Sequence, residues 1–134
     1  MPLQDPPAVE DLLQAVREYL QEEVLPSADV NQRVHVLMAM NVVGVVEREL
    51  VLGPKLEQEH VKALNTLGVN SEAELAQAIK SGALDAKRDE VLKVLRQTTI
   101  AKLTVASPAF LERTRKEAEL AAQRQAKKAE AAQG

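Results

Sequence analysis

Apolar residues recur at helical spacing along most of this chain, and no segment has the sustained alternation that is typical of a strand. The first run, residues 7–25, places valines and leucines at i, i+3, i+4 and i+7. A second run, residues 31–52, is the most apolar, and a third covers residues 86–105. These spacings predict three long, mutually packed helices and therefore an all-α bundle.

Glycine and proline mark where the helices should end and begin. Gly53, Gly68 and Gly82 each follow an amphipathic run, and Pro54 stands where a new helix could start. This punctuation predicts a short helical pair inserted between Gly53 and Gly82. Two capping boxes are also predicted, formed by Asp29 with Gln32 and by Ser71 with Glu74.

The second predicted helix has two distinct sides when it is projected at about 100° per residue. One side is broadly apolar, carries His35 near its centre, and should be buried in the core, so that aspartate at Val42 or Val46 should unfold the domain. For His35 we expect either a hydrogen-bonded core histidine or a switch. The residues of the apolar side are Val36, Met38, Ala39, Val42, Val43, Val46 and Leu50.

The opposite side of that helix is mixed in character and contains Asn41, Gly44 and Arg48 at i, i+3 and i+7. One interpretation is intramolecular helix packing. The other is a docking face for a partner protein, in which Gly44 admits a close helix, Arg48 supplies a fixed cation and Arg33 lies at the edge. The spacing alone leaves both open.

The last 23 residues differ from the rest. Residues 112–134 are almost entirely Ala, Glu, Lys, Arg and Gln, and Leu120 is their single large apolar residue. We therefore divide the chain into a helical domain, residues 1–111, and a helical or disordered tail, residues 112–134. The tail should be poorly protected from about Arg115 onward, because it has almost nothing apolar to bury.

Composition narrows the classes of function. The absence of cysteine excludes thiolate chemistry. The chain has neither a glycine-rich phosphate loop nor a metal-binding histidine pair, so we expect no catalytic site, metal or cofactor. A net charge of −3 argues against nucleic acid binding. The 13 uncharged residues from Val34 to Val46 are fewer than the about 20 that cross a membrane, and the first residues do not resemble a signal peptide, which predicts a cytoplasmic protein.

Several short motifs resemble those of a small bacterial protein family and together cover about residues 7–111. Its members resemble the small subunit that accompanies an aminoglycoside-phosphotransferase-like kinase in levulinic-acid catabolism. The matching positions are Pro7, Val9, Asp11-Leu12-Leu13, Ala15-Val16, Glu23-Val24-Leu25-Pro26, Arg33-x-His35, Asn41, Val46-Glu47-Arg48-Glu49-Leu50, Leu52-Gly53-Pro54, Ala101-Lys102-Leu103 and Ser107-Pro108.

The resemblance implies a non-catalytic subunit that binds and stabilises or activates a kinase acting on 4-hydroxyacyl-CoA. Any contact with the acyl-CoA would be indirect. Two alternatives remain open from the residues themselves. One is a self-associating helical protein without a kinase partner, and the other is a carrier that holds an acyl chain between its valine-rich helices.

Overall fold

The computed structural model describes Leu3 and residues 5–134, and all regular elements in that part of the chain are helical, which confirms the all-α class. A π-helical turn, Leu20–Val24, and a last turn, Leu25–Ser27, extend the first helix, and the 3₁₀ turn Asp85–Lys87 precedes the fourth. The helices are α1 (Val9–Tyr19), α2 (Val30–Thr66), α3 (Glu72–Ser81), α4 (Arg88–Ala106) and α5 (Pro108–Ala132).

Local capping residues fix most of the helix ends. The Asp29 carboxylate accepts from the Gln32 backbone N–H at 2.8 Å, and the Gln32 side chain accepts from the Asp29 N–H, so this predicted capping box is confirmed. The Ser71 hydroxyl likewise accepts from the Glu74 N–H at 3.1 Å, but the Glu74 carboxylate bonds to the Asn70 N–H instead. Positive φ at Gly68 and Gly82, 75° and 80°, confirms the predicted breaks there.

The predicted break at Gly53 is wrong. Helix α2 runs without interruption from Val30 to Thr66 and includes Pro54, so there is no inserted helical pair, only the single short helix α3. A proline normally disfavours helical geometry in the residue before it, because its ring clashes with that residue's Cβ. Gly53 has no Cβ, so this part of the clash is absent. The hydrogen bond that Pro54 cannot donate leaves the carbonyl of Leu50 unpaired within the helix, on an exposed residue.

The buried core lies at one end of the molecule. It forms where the C-terminal half of α2 packs against α3, α4 and the loop after Gly68. Leu64 is the most deeply buried side chain, with 2% of its surface exposed. The other members of the core are Leu67, Val69, Leu75, Val91 and Val94.

Helix α2 is the centre of the fold, and α1 and α4 both pack mainly on it rather than around one common core. Helix α1 folds back antiparallel on the N-terminal half of α2 through the turn at residues 28–29, and we call residues 5–50, which include α1, its extension and the first part of α2, the hairpin. Helix α5 continues from α4 after Ser107 and contains no buried residue along Pro108–Ala132. The prediction of mutually packed long helices is therefore only partly right.

Candidate docking surface

The side of α2 that carries Gly44 and Arg48 makes an intramolecular contact. Arg48 donates from Nε to the backbone carbonyl of Val105 at 2.7 Å, in the last turn of α4, where helix carbonyls lack partners within the helix. Gly44 is buried, and a Cβ built on it would lie 3.1 Å from an Arg48 guanidinium nitrogen. Gly44 thus makes room for the arginine that caps α4. Of the two interpretations, intramolecular packing describes these two residues.

A second polar contact ties α1 to the same side of α2. Arg17 and Glu47 form an ion pair of 2.6 Å between Nη1 and Oε2, and the Glu47 side chain is largely buried. The other carboxylate oxygen of Glu47 is buried without a hydrogen-bond partner among the described residues. Because an uncompensated buried charge is costly, the Arg17 partner is needed to keep Glu47 in this position.

The remaining predicted site residues are all exposed. Arg33 and Asn41 lie on α2 with their side chains exposed to solvent. His35 is exposed too, so the prediction of a core histidine is wrong. The structure therefore does not assemble Arg33, Asn41, Gly44 and Arg48 into one open surface.

The apolar side of α2 that should have formed the core is instead exposed over much of its length. Val42 has 59% of its surface accessible and Met38 has 61%. The arginine cap and the Arg17–Glu47 ion pair hold the opposite side of the helix against its neighbours, and no helix among the described residues covers the exposed side of the hairpin. The prediction that Val42 and Val46 are buried is wrong.

Helix α1 adds an exposed apolar stripe of its own. We project the residues of α1 and α2 at about 100° each. On both helices the exposed stripe is then rotated by about 90–110° from the side that contacts the other helix, and the rotation has the same sense on both. Because the helices run antiparallel, equal offsets bring both stripes to the same side of the hairpin. We call this surface the apolar face. Its residues are Val9, Leu12, Val16 and Tyr19 of α1 and Met38, Val42, Val46 and Leu50 of α2.

The sequence did contain a signal for this surface. The runs that became α1 and α2 each supply an apolar stripe, whereas the tail that became α5 supplies none that could cover them. The sequence therefore contains more apolar stripes than helices that could cover them, which predicts that one apolar surface stays exposed. The positions of individual residues could not be obtained in this way.

A polar cluster on the other half of the molecule joins α2, α3 and α4. His60 bonds through Nδ1 to the Thr98 hydroxyl and through Nε2 to the Glu72 carboxylate, both at 3.2 Å. Lys102 Nζ lies 2.8 Å from the same carboxylate oxygen. The cluster borders an open cleft of about 370 Å³ between α2 and α4.

The order carboxylate, imidazole, hydroxyl in this cluster is also that of nucleophilic enzymes. Such sites need hydrogen-bond donors that point at the developing oxyanion. Thr98 lies in the middle of α4, where the neighbouring backbone N–H groups are committed to the helix. The arrangement therefore acts as a cross-link between three helices.

The pKa of Glu72 gives a test of this cross-link. The hydrogen bond and charge of Lys102, with a contribution from His60, lower the pKa of the Glu72 carboxyl below its ordinary value of 4.5. Because the pKa is lower in the folded state, the ionised carboxylate stabilises the fold at pH values above the unfolded-state pKa. This stabilisation is lost as the pH falls through the folded-state pKa. We expect Glu72→Gln to be less stable than the wild type at pH 7, and the difference to disappear toward pH 3. The effect should be small, because the side chain is about half exposed.

Urea unfolding at the two pH values measures this effect, with Glu57→Gln, an exposed carboxyl elsewhere on α2, as the control. The control should follow the wild type at both. A Glu72→Gln protein with an unchanged pH profile would mean that the cluster contributes nothing to the fold.

The described part of the chain contains no group of three or more His, Cys, Asp or Glu side chains placed to hold a metal ion. Within the same residues, no helix has an apolar stretch long enough to span a membrane.

Comparison with known proteins identifies one family. The model of a domain of unknown function, DUF6285, matches residues 26–110, which include α2, α3 and α4 and leave α1 outside. Searches of curated proteins and of solved structures gave no match. The matched segment covers more than half of the chain, and the chain therefore belongs to the DUF6285 family.

Proposed function

We propose that this chain is a non-catalytic subunit that binds a partner protein through the apolar face. The observation that carries this proposal is the exposure of eight large side chains on one side of a hairpin. Contiguous apolar patches of this kind on a soluble domain mark sites where another molecule binds. The proposed docking surface lies on the side of α2 opposite to Gly44, whereas the sequence pattern suggested the Gly44 side.

The size of the apolar face is adequate for a specific contact. With exposed fractions of 37% to 61%, the eight side chains offer on the order of 600 Å² of apolar surface, compared with ~800 Å² per partner in an interface of standard size. At ~25 cal/mol per Å², covering it would contribute roughly 15 kcal/mol before the costs of association. Those costs are estimated at ~4–15 kcal/mol. The balance is compatible with a stable complex once rim contacts are added.

As the partner we propose the aminoglycoside-phosphotransferase-like kinase that the sequence motifs imply. The kinase would supply the nucleotide and metal ligands, and this chain would stabilise it or complete its acyl-CoA site in the cytoplasm. Motifs of the resemblance, such as Val46 and Leu50, fall on the apolar face, and Val9, Leu12 and Val16 do so on α1. The alternative use of the same surface is symmetric packing of two copies.

Co-expression with that kinase from the same organism tests the proposal. We expect the wild-type chain to copurify with the kinase and to raise its activity toward 4-hydroxyacyl-CoA. Val42→Asp should weaken binding by a factor of about 100, because it places a carboxylate in the centre of a desolvated contact. Thermal melting of the isolated variant should show that it remains folded.

Val51→Asp is a matched control for this experiment. Val51 is 55% exposed, close to the 59% of Val42, and lies nine residues further along α2, about 180° around the helix. The Val51→Asp variant should copurify with the kinase and activate it as the wild type does. If the two variants bind equally well, the apolar face is not the docking surface. If the wild type neither binds nor activates the kinase, that partner is wrong.

A further inference from the structure

The charge of the molecule is concentrated on the hairpin. Residues 5–50 contain nine acidic and three basic side chains, a net charge of −6, whereas residues 51–134 contain 11 acidic and 14 basic ones, a net charge of +3. The net charge of −3 is therefore the sum of an acidic N-terminal part and a basic remainder. The acidic half is the half that carries the apolar face.

Within the hairpin, the negative charge lies mainly on the first helix and its extension. The only basic residue there, Arg17, is engaged in the ion pair with Glu47, so the carboxylates around it lack a compensating cation on their own helix. These exposed carboxylates belong to Glu10, Asp11, Glu18, Glu22 and Glu23. Two of the five, Asp11 and Glu18, project to the side of α1 that faces away from α2, Glu22 and Glu23 follow in the π-helical turn, and Glu10 projects near Arg17.

We propose, on the basis of the proposed docking function, that the partner presents an apolar helical stripe flanked by lysine or arginine side chains. Apolar contact would then cover the valines and leucines while the cations meet the carboxylates of α1. Charges of opposite sign across a rim accelerate encounter and suppress wrong partners. The partner is thus distinguished by its charge as well as by its shape.

The same charge argues against a second copy as the occupant. Two hairpins packed face to face would bring together two segments that each have a net charge of −6. Repulsion between the two sets of carboxylates acts within the Debye length of about 8 Å at physiological salt. The basic tail of another copy is not a substitute, because residues 112–134 have only Leu120 as a large apolar side chain with which to cover the apolar face.

Two fluorescent helical peptides test this inference on the full-length chain. Both have about 18 residues and the same leucine stripe, and the remaining positions are lysine in one and glutamate in the other. By fluorescence anisotropy at low salt we expect the lysine peptide to bind at least 10-fold more tightly than the glutamate peptide. Raising the salt to about 0.5 M should shrink that ratio.

Charge reversals on the chain locate the effect. The triple variant Glu18→Lys, Glu22→Lys, Glu23→Lys should lose most of the preference for the lysine peptide. Its matched control carries the same number of reversals at exposed carboxylates outside the hairpin, Glu57→Lys, Glu117→Lys and Glu119→Lys, and should keep the preference. Equal loss in both variants would mean that only overall charge matters and would overturn the inference.

The remaining outcomes separate this inference from the proposed function. If both peptides bind equally and Val42→Asp abolishes binding, the apolar face docks a partner without selecting its charge, and only the inference fails. If neither peptide binds, or Val42→Asp has no effect, the docking function itself fails at this surface. If sedimentation instead reveals a dimer that Val42→Asp dissociates, a second copy is the occupant and the inference is wrong.

Discussion

Aspartate in place of Leu64 should unfold the chain, whereas aspartate in place of Val46 should leave it folded. Leu64 has 2% of its surface exposed and lies in the centre of the core, while Val46 is 41% exposed on the apolar face. A carboxylate at position 64 would be buried without a partner, at a cost of several kcal/mol. Against a total stability of ~5–15 kcal/mol, that cost removes most or all of the native state.

The milder variant Leu64→Ala gives the effect a measurable size. Loss of a buried leucine side chain typically lowers the free energy of unfolding by ~2–5 kcal/mol, through lost burial and the cavity left behind. Urea unfolding followed by circular dichroism measures it, with Val46→Ala as the control, expected to cost less than ~1 kcal/mol. Comparable losses at both positions would mean that the apolar face is part of the core.

Replacing Gly44 with leucine should destabilise the isolated chain by roughly 2–4 kcal/mol. Overpacking a buried position usually costs ~1–3 kcal/mol. Here the added side chain must also displace the Arg48 guanidinium, whose nearest nitrogen would be 3.1 Å from the new Cβ. Displacement breaks the hydrogen bond to the Val105 carbonyl and leaves the end of α4 uncapped. The expected effect is therefore on folding, and on partner binding only through folding.

Asn41→Leu is the matched control, since Asn41 lies three residues earlier on α2 and is exposed. It should change the free energy of unfolding by less than ~0.5 kcal/mol. The Arg48→Ala variant lacks the guanidinium that Gly44→Leu would displace. In this variant Gly44→Leu should therefore lower the free energy of unfolding by less than it does in the wild type. A Gly44→Leu protein as stable as the wild type would show that the contact between α2 and α4 is loose.

Local chemistry was predictable from the sequence, but long-range packing was not. The Asp29 and Ser71 caps and the positive φ of Gly68 and Gly82 depend on residues within four positions of each other, and all were confirmed. Gly53 was misjudged because a glycine followed by a proline is compatible both with a helix end and with a helix that tolerates the proline. The distinction depends on what the following residues pack against.

The buried side of α2 was misjudged for a similar reason. Hydrophobicity favours the valine-rich side, but one of the contacts that hold the opposite side is a hydrogen bond between Arg48 and Val105, 57 residues apart. The sequence offers no means of pairing these two positions. The family of partner implied by the motifs remains a prediction, because it concerns a molecule outside this chain.

Because the buried side chains are concentrated at one end of the molecule, we expect the hairpin and the core to differ in stability. All the buried hydrophobic side chains identified lie between Leu64 and Val105, and α1 contains none. The hairpin therefore opens at a smaller free energy than the core, and its amides exchange with solvent first. If a partner binds the apolar face as proposed, it would stabilise the closed hairpin by mass action. In the cell, a chain without that partner would then be degraded from its N-terminal half, and its abundance would follow that of the proposed complex.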